Sequence, residues 1–397
     1  MTFNFDEVID RRASNSMKWS STKKYLAPED AVYDPLPMWV ADMDFKSPIP
    51  VRDALAEAVE FGIYGYAGGP TRSYNEAFCG WQRRRFGWQV DPDWIVTTSG
   101  VLSSIMAIIQ AFSHPGESIL IQPPVYGPFF DVPWVNGRHI VSAPLRLHQD
   151  GYVFDPIEFE KAIRPETKLF ILCNPHNPTG MVWSEKDLRQ LGEICLRHKL
   201  VVIANEIHQD FLLEPNVRHI PFAALGEPFS DISITCTAPT KTFNLAGLQI
   251  ANIVVPNPSL RGEFRRQMTR NTVHSLNGFG MIATEVAYRH CEDWVDAMLD
   301  YVAGNRRFFA KQLPALNPAL HILPAQALYL AWLDYRQLGL SETEMQRFLL
   351  RKAQVWFEPG TKFGPEGLGF LRVNLGCPRS TIDTALERIA VALETER

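Results

Sequence analysis

The sequence predicts an α/β protein with a mainly parallel sheet, and three observations lead to that prediction. From about residue 95, short β-branched and apolar runs alternate with segments of helical periodicity. The runs are almost entirely apolar, as in strands that are covered on both faces. The chain of 397 residues is long enough for two or three domains. In sheets of this kind the functional site lies at the carboxyl ends of the strands.

The first 46 residues are rich in aromatic residues and proline but show little periodicity. They end in the apolar run 36–45, so we expect an extended arm that lies on another surface of the protein. A helical pattern over 51–61 and a glycine-rich loop over 62–70 follow.

Seven apolar runs are predicted as the strands of the large sheet. The first is followed by apolar residues at 105, 108, 109 and 112, which is the spacing of a helix. Another helix is expected after Ser184, a candidate N-cap. The predicted strands are 94–97, 118–122, 139–142, 169–173, 200–204, 233–237 and 249–255.

The pattern changes in the last third of the chain. A long helical region over 280–313 leads to strands at 328–332, 355–357 and 370–375. One helix opens with the capping box Ser341-x-x-Glu344, and a last helix carries apolar residues at 382, 386, 389 and 393. We therefore predict an arm with part of a small domain (1–46), a large domain (47–285) and a smaller α+β domain (286–397).

Composition excludes several classes of protein. Hydrophobic residues make up 46% and charged residues 21%, as in soluble globular proteins. The net charge of −5 and the lack of a basic cluster argue against a nucleic-acid binder. No apolar run has the length of a membrane span, and the first residues do not resemble a signal peptide. The six cysteines have no metal-ligand spacing, so we expect a reduced, cytoplasmic protein without a metal.

Lys241 stands in a short polar turn directly after the predicted strand 233–237. A lysine in this place is either an ordinary surface residue or a desolvated amine. Desolvation lowers the pKa of an amine, and such an amine reacts with aldehydes. This segment alone leaves both interpretations open.

Other polar residues also follow predicted strands. The segment 174–180, Asn-Pro-His-Asn-Pro-Thr-Gly, comes after strand 169–173, and Asn205 and His208 come after strand 200–204. The turn 97–102 leads into a helix whose free amides can bind a phosphate. Tyr126 is either a core aromatic residue or a platform for stacking. Because strand residues alternate, Arg372 lies on the face opposite Leu371; it binds a carboxylate or forms a surface salt bridge.

Taken together, these segments resemble the fold-type I enzymes that use pyridoxal 5′-phosphate (PLP). The matching segments are 174–180, the Glu-Ile-His string at 206–208, the segment 239–248 around the lysine, and 371–379. The run 36–45 and the loop histidine are similar to the cystathionine β-lyase branch of MalY/PatB type. The resemblance covers almost the whole chain, with the motifs in order.

The resemblance implies a role for each matching residue. Lys241 would bind the aldehyde of PLP and later move the Cα proton of the substrate. Tyr126 would stack on the pyridine ring, Asn177 would bond to its phenolic oxygen, and His208 would lie beside it. The residues implied for the phosphate are the backbone amides of Val101 and Leu102, with Thr240 and, from a second subunit, Tyr66. The residues implied for the substrate carboxylate are Arg372, Val40 and Ala41.

Two positions depart from the family pattern. Gln249 replaces an arginine found in many aminotransferases of this fold, which is similar to the lyase branch. Asn205 replaces an aspartate whose carboxylate keeps the pyridine nitrogen protonated. A neutral amide is expected to leave the ring a weaker electron sink.

The resemblance therefore implies a homodimer with shared active sites that acts on a small amino-acid substrate. The expected reaction is α,β-elimination from an S-substituted cysteine, which yields a thiol, pyruvate and ammonia. Two alternatives stay open at this point. One is an aminotransferase of the same fold, and the other is a regulatory or binding protein that holds PLP with little turnover.

Overall fold

The computed structural model describes residues 3–149, 151–272 and 275–395 of the chain. Its strands are β1 (Leu36–Pro37), β2 (Ile95–Thr98), β3 (Ser118–Ile121), β4 (His139–Ser142), β5 (Arg146–His148), β6 (Gly151–Val153), β7 (Thr167–Cys173), β8 (Val201–Asn205), β9 (Ser233–Thr237), β10 (Ala251–Val254), β11 (His321–Ile322), β12 (Leu330–Asp334), β13 (Val355–Trp356), β14 (Glu358–Pro359) and β15 (Phe370–Asn374). Its α-helices are α1 (Thr22–Tyr25), α2 (Pro28–Ala31), α3 (Ile49–Phe61), α4 (Arg72–Phe86), α5 (Val101–Phe112), α6 (Pro128–Val135), α7 (Pro156–Ala162), α8 (Glu185–Arg197), α9 (Pro239–Thr242), α10 (Pro258–Arg270), α11 (Gly278–His290), α12 (Glu292–Leu316), α13 (Glu342–Arg347) and α14 (Arg379–Thr395).

A seven-stranded sheet has the order β2-β10-β9-β8-β7-β3-β4. Its pairs are parallel except for those of β10, which is antiparallel to both β2 and β9. Alternate residues of β7 enter different cores, because Leu169 and Ile171 pack on one face while Phe170 and Leu172 pack on the other. The seven predicted strands and the mainly parallel sheet are thereby confirmed.

All strands of this sheet except β10 end at the same edge, since β3 and β4 are parallel to β7. β7, β8 and β9 are parallel neighbours, and β2 has the same direction because both β2 and β9 are antiparallel to β10. The register pairs Cys173 with Asn205 and Asn205 with Cys236. Asn205 is thus the last residue of β8 rather than the first residue after it, a correction of one position to our prediction. The turns that leave this edge carry most of the polar residues selected from the sequence.

The C-terminal part contains an antiparallel sheet in the order β11-β12-β15-β14. Leu371, Val373 and Leu375 pack in a core with residues of α14, including Ile382 and Ile389. The predicted alternation along β15 is confirmed, so Arg372 points away from that core. The capping box of Ser341 and Glu344 is also present at the start of α13.

The N-terminal segment is attached to the C-terminal part by a short parallel pairing of β1 with β13, in which Leu36 faces Val355. The arm predicted as extended is not extended throughout, because α1 and α2 each form a single helical turn before β1. The division into domains at residues 46 and 285 stays a prediction; residue 285 lies within α11.

Two further boundaries differ from the prediction. The helical region 280–313 consists of two helices, because Cys291 leaves the helical conformation (φ −121°, ψ 24°) between α11 and α12. The strand predicted at 328–332 begins only at Leu330, since Leu328 has a positive φ of 78° that a strand cannot contain. Among the described residues, no helix is long and apolar enough to cross a membrane.

Candidate active site

A cavity of about 1380 Å³ lies at the carboxyl edge of the large sheet. Its floor comes from the turns after β2, β7, β8 and β9, and its opposite wall comes from β14, β15 and the loop after β14. Residues of the N-terminal segment close one side. The predicted site residues that line it are Val40, Ala41, Val101, Leu102, Tyr126, Asn177, Asn205, His208, Thr240, Lys241 and Arg372.

Lys241 lies in α9, the short helical turn that follows β9. Its Nζ donates a hydrogen bond of 2.6 Å to the carbonyl oxygen of Ala41. The pKa of this amine is lowered to about 8, mainly by burial; the charge of Asp42 opposes this shift and that of Arg372 adds to it. The surface interpretation of Lys241 is therefore excluded. The amine is held in the cavity and is partly neutral near pH 7.

Arg372 is 5% exposed and reaches the cavity from β15. Its Nη1 donates to Asn177 Oδ1 at 3.2 Å, and its Nη2 donates to the carbonyl of Trp39 at 2.9 Å. The guanidinium lies over the ring of Phe363, with 4.8 Å from Cζ to the ring centroid. Its Nε has no hydrogen-bond partner in the described part of the chain. No carboxylate of the described residues is bonded to the guanidinium, so Arg372 is available to bind the carboxylate of a ligand.

The start of α5 provides free backbone amides at another side of the cavity. Gly100 precedes the helix and offers no side-chain cap, so the amides of Val101 and Leu102 have no partner from a capping group. Thr240 and Ser99 line the same region. A helix start of this kind favours an anion.

Asn205 and His208 line the cavity near the sheet edge. Asn205 is 5% exposed, and its Oδ1 accepts one long hydrogen bond of 3.5 Å from the backbone N–H of Ile207. Burial lowers the pKa of His208 well below its ordinary value, and the charges of Lys241 and Arg372 add to this effect. The imidazole is therefore neutral, and its Nδ1 has no partner among the described residues.

Tyr126 lies in the cavity wall with its ring edge-on to Phe129, at a centroid distance of 5.6 Å. It is only partly buried, so one part of the ring is open to a ligand. Tyr66 is different from the other predicted residues, because it is 98% exposed and lies outside the cavity. Its expected contact was with a second subunit, and that contact stays a prediction.

A comparison with protein families agrees with this geometry. The family model for aminotransferase class I and II matches residues 40–389, a range that includes Lys241 and Arg372. The chain belongs to the class I and II aminotransferase family.

Individual members of this family are similar over the full length. The chain is 43% identical over 392 residues to the cystathionine beta-lyase PatB of Bacillus subtilis, covering 98% of this chain and 100% of PatB. It is 30% identical to the protein MalY of Escherichia coli, with all of both chains covered. A solved structure of the PLP-bound C–S lyase from Staphylococcus hominis matches with a TM-score of 0.90 and 33% identity, covering 99% of this chain and 98% of that one. The predicted resemblance to the MalY/PatB branch is confirmed.

Sequence reasoning missed a set of donors that hold the segment 39–43 of this aminotransferase-family chain over the cavity. Tyr329 donates its hydroxyl to the carbonyl of Ala41 at 2.9 Å, so that this oxygen accepts from both Tyr329 and Lys241. Asn374 Nδ2 donates to the carbonyls of Val40 and Asp42 at 2.5 and 2.6 Å. Strand alternation puts Asn374 on the same face of β15 as Arg372, and this spacing is the signal in the sequence that could have identified it.

A buried cluster of ion pairs holds the end of the same segment, at Asp42 and the adjacent Asp44. Lys18 is 1% exposed and its Nζ lies 2.6 Å from Asp44 Oδ2. Arg11 bridges Asp42 at 2.8 Å and Asp44 at 2.7 Å, and Trp19 Nε1 donates to Asp44 at 2.8 Å. Because losing one member would leave a buried charge unpaired, this cluster holds the segment firmly.

Proposed function

We propose that this chain is a PLP-dependent lyase that cleaves the carbon–sulfur bond of S-substituted cysteines by α,β-elimination. The observation that carries the proposal is the placement of a partly neutral lysine amine and an unpaired arginine in one cavity. PatB is named a cystathionine beta-lyase and the Staphylococcus hominis protein a PLP-bound C–S lyase, which supports the same activity here.

The residues present fit PLP. The Lys241 amine suits its aldehyde, the uncapped start of α5 suits its phosphate, and the open part of Tyr126 suits its ring. Asn177 and His208 lie on the same floor and offer hydrogen-bonding groups to the ring substituents. Asn205 fits an unprotonated ring nitrogen, because its side-chain amide can donate a hydrogen bond but carries no charge. When bound, PLP withdraws electrons from the substrate Cα and makes its proton removable.

The residues of the chain have separate roles in the elimination. Arg372 binds the α-carboxylate of the substrate through two N–H groups, which it frees from Trp39 and Asn177. Lys241 takes the proton from Cα and can pass it to the departing sulfur. The C–S bond breaks with its electron pair on sulfur, so the products after addition of one water are a thiol, pyruvate and ammonia. Residues 39–42 line the cavity beside these groups.

Asn205 bears on the choice among reactions. A thiolate departs from Cβ soon after Cα loses its proton, whereas transamination requires a longer-lived negative charge at Cα. A neutral amide at residue 205 therefore disfavours transamination more than elimination. The same residue supports a second candidate function, a PLP protein with low turnover that binds a partner. Mutation of Lys241 separates the two, because it abolishes catalysis but leaves binding of a partner intact.

We further propose that the active form is a homodimer located in the cytoplasm. The end of α3 and the loop before α4 expose apolar side chains, with Phe61 at 73%, Ile63 at 72% and Tyr66 at 98%. A second copy of the chain that covers this region would remove apolar surface from water. The same contact would bring Tyr66 close to the phosphate of PLP bound in the second copy. A Tyr66→Ala variant that stays dimeric but binds PLP more weakly is the expected result.

The function is tested by measuring pyruvate from a panel of S-substituted cysteines with PLP present. We expect pyruvate and free thiol in equal amounts from the wild type and none from Lys241→Ala. Lys362→Ala is the matched control, because it removes an exposed lysine at the rim of the same cavity. A 2-oxo-acid requirement without thiol release would identify an aminotransferase instead, and no turnover of any substrate would support the low-turnover candidate.

A further inference from the structure

Glu358 is a carboxylate in the cavity wall that the elimination mechanism does not use. It lies on β14 directly opposite Arg372 of β15, so both side chains project from the same face of the sheet. Their Cβ atoms in such a pair are about 5 Å apart. Glu358 lines the same cavity as Lys241 and Tyr126. It is therefore close to the place where Arg372 would hold the substrate carboxylate.

The carboxylate of Glu358 lacks a direct partner within the described chain. Arg372 gives its Nη1 and Nη2 hydrogen bonds to Asn177 and Trp39, and neither Arg372 nor Lys362 forms an ion pair with Glu358. The side-chain oxygen atoms of Glu358 are also accessible, because they are not among the fully buried atoms that have no hydrogen-bond partner. Glu358 is thus a partly buried negative charge that faces the cavity and is free to meet a ligand.

Substrate binding changes the electrostatic environment of Glu358. In the free protein burial raises the pKa of Glu358, and the positive charges of Arg372 and Lys362 oppose this effect. A substrate carboxylate on Arg372 neutralises that guanidinium and puts a second negative charge near Glu358. A substrate that also carries a cation removes this conflict, whereas a neutral or anionic substrate does not.

We propose, on the basis of the elimination reaction proposed above, that Glu358 selects S-substituted cysteines whose sulfur substituent carries an ammonium group. The ammonium would lie against the Glu358 carboxylate while Arg372 holds the α-carboxylate. Glu358 then determines specificity and leaves the chemistry at Cα to Lys241. The preferred leaving thiol is an aminothiol.

The test compares substituents that differ in charge but little in size. S-(2-aminoethyl)cysteine and S-propylcysteine have the same number of heavy atoms, and S-(carboxymethyl)cysteine carries the opposite charge. We expect the holoenzyme to prefer the aminoethyl over the propyl substrate by about tenfold or more in kcat/KM, with the carboxymethyl substrate the poorest. Glu358→Gln should reduce this ratio to below about threefold. The ratio is taken within one enzyme, so a general loss of activity does not affect it.

Asp131→Asn provides the matched control, because Asp131 is an exposed carboxylate that lines the same cavity. Its ratio should stay close to that of the wild type, since an exposed charge is screened by water and salt. If Asp131→Asn lowers the ratio as much as Glu358→Gln, the preference is a general field effect and the specific role of Glu358 is refuted. A wild-type ratio of one or less refutes it even without the variants.

A binding measurement separates this proposal from the proposed function. L-Lysine and L-2-aminoheptanoate have the lengths of the two substrates but no sulfur to eliminate, so calorimetry with the holoenzyme reports recognition alone. We expect L-lysine to bind about tenfold more tightly, and Glu358→Gln to abolish the difference. If no cysteine conjugate yields pyruvate but this difference is found, the elimination reaction is wrong and Glu358 recognition stands. If pyruvate forms and the two amino acids bind equally, recognition by Glu358 is wrong.

Discussion

The lowered pKa of Lys241 leads to a quantitative prediction about its reactivity in the cofactor-free protein. A shift from 10.5 to about 8 corresponds to about 3 kcal/mol against the ammonium form. At pH 7 about a tenth of the amine is neutral, which is about 300-fold more than for an ordinary lysine. The reactivity of Lys241 should therefore rise about fivefold from pH 7 to pH 8 and less than about twofold at higher pH.

Competitive acetylation followed by mass spectrometry of the peptide that contains Lys241 measures this profile. N-acetyl-lysine amide serves as the standard in the same tube, and its reactivity should continue to rise about tenfold per pH unit until about pH 10. Asp42→Asn should move the midpoint for Lys241 lower still, because Asp42 favours the ammonium form. A profile for Lys241 that follows the standard, or a midpoint that rises in Asp42→Asn, would refute the assignment of a desolvated amine.

Four further variants test other parts of the account. Lys241→Met should raise the melting temperature of the cofactor-free protein at pH 7, and this gain should shrink between pH 8 and pH 10.5. The reason is that the pKa of Lys241 is lower in the folded than in the unfolded protein, so the wild type gains stability as the pH rises through this range. Arg372→Leu should cost about 2–4 kcal/mol in kcat/KM for substrates with a free α-carboxylate; an equal loss with a decarboxylated amine analogue would make Arg372 merely structural. Asn205→Asp should speed exchange of the substrate Cα proton with deuterium by about tenfold, which needs about 1.4 kcal/mol, and should increase transamination; unchanged or abolished exchange would show that a protonated ring does not help this reaction, and the assignment of an ordinary β-elimination would be withdrawn. Asn374→Ala removes two hydrogen bonds to the segment 39–43, each worth about 1 kcal/mol, so amide hydrogen exchange there should become about tenfold faster or more; unaltered exchange would show that the ionic cluster alone holds it.

The large sheet could be predicted because its signal is local. Each strand is a short apolar run, and residues on both faces, such as Ile171 and Leu172 of β7, are apolar because both faces are covered. The position of Arg372 also followed from local alternation along β15. The break at Cys291 could not be seen, because neither glycine nor proline interrupts the pattern there.

The hydrogen bonds and ion pairs that hold the segment 39–43 could not be predicted, for a different reason. Tyr329 and Ala41 are 288 positions apart, and Lys18 reads as a surface lysine until its carboxylate partner 26 positions away is known. Contacts of this separation depend on the packing of the whole chain and leave no periodic pattern. The role proposed for Glu358 likewise depends on the strand register, which places it beside Arg372.

The most direct test of the central claim is the site at which PLP becomes attached. The protein is loaded with PLP, reduced with borohydride, digested and mapped by mass spectrometry. We expect a single stoichiometric label on Lys241, its loss in Lys241→Ala, and its retention in Lys362→Ala. A label on another lysine, or no label on a folded wild-type protein, would contradict the assignment of Lys241 as the residue around which the active site is built.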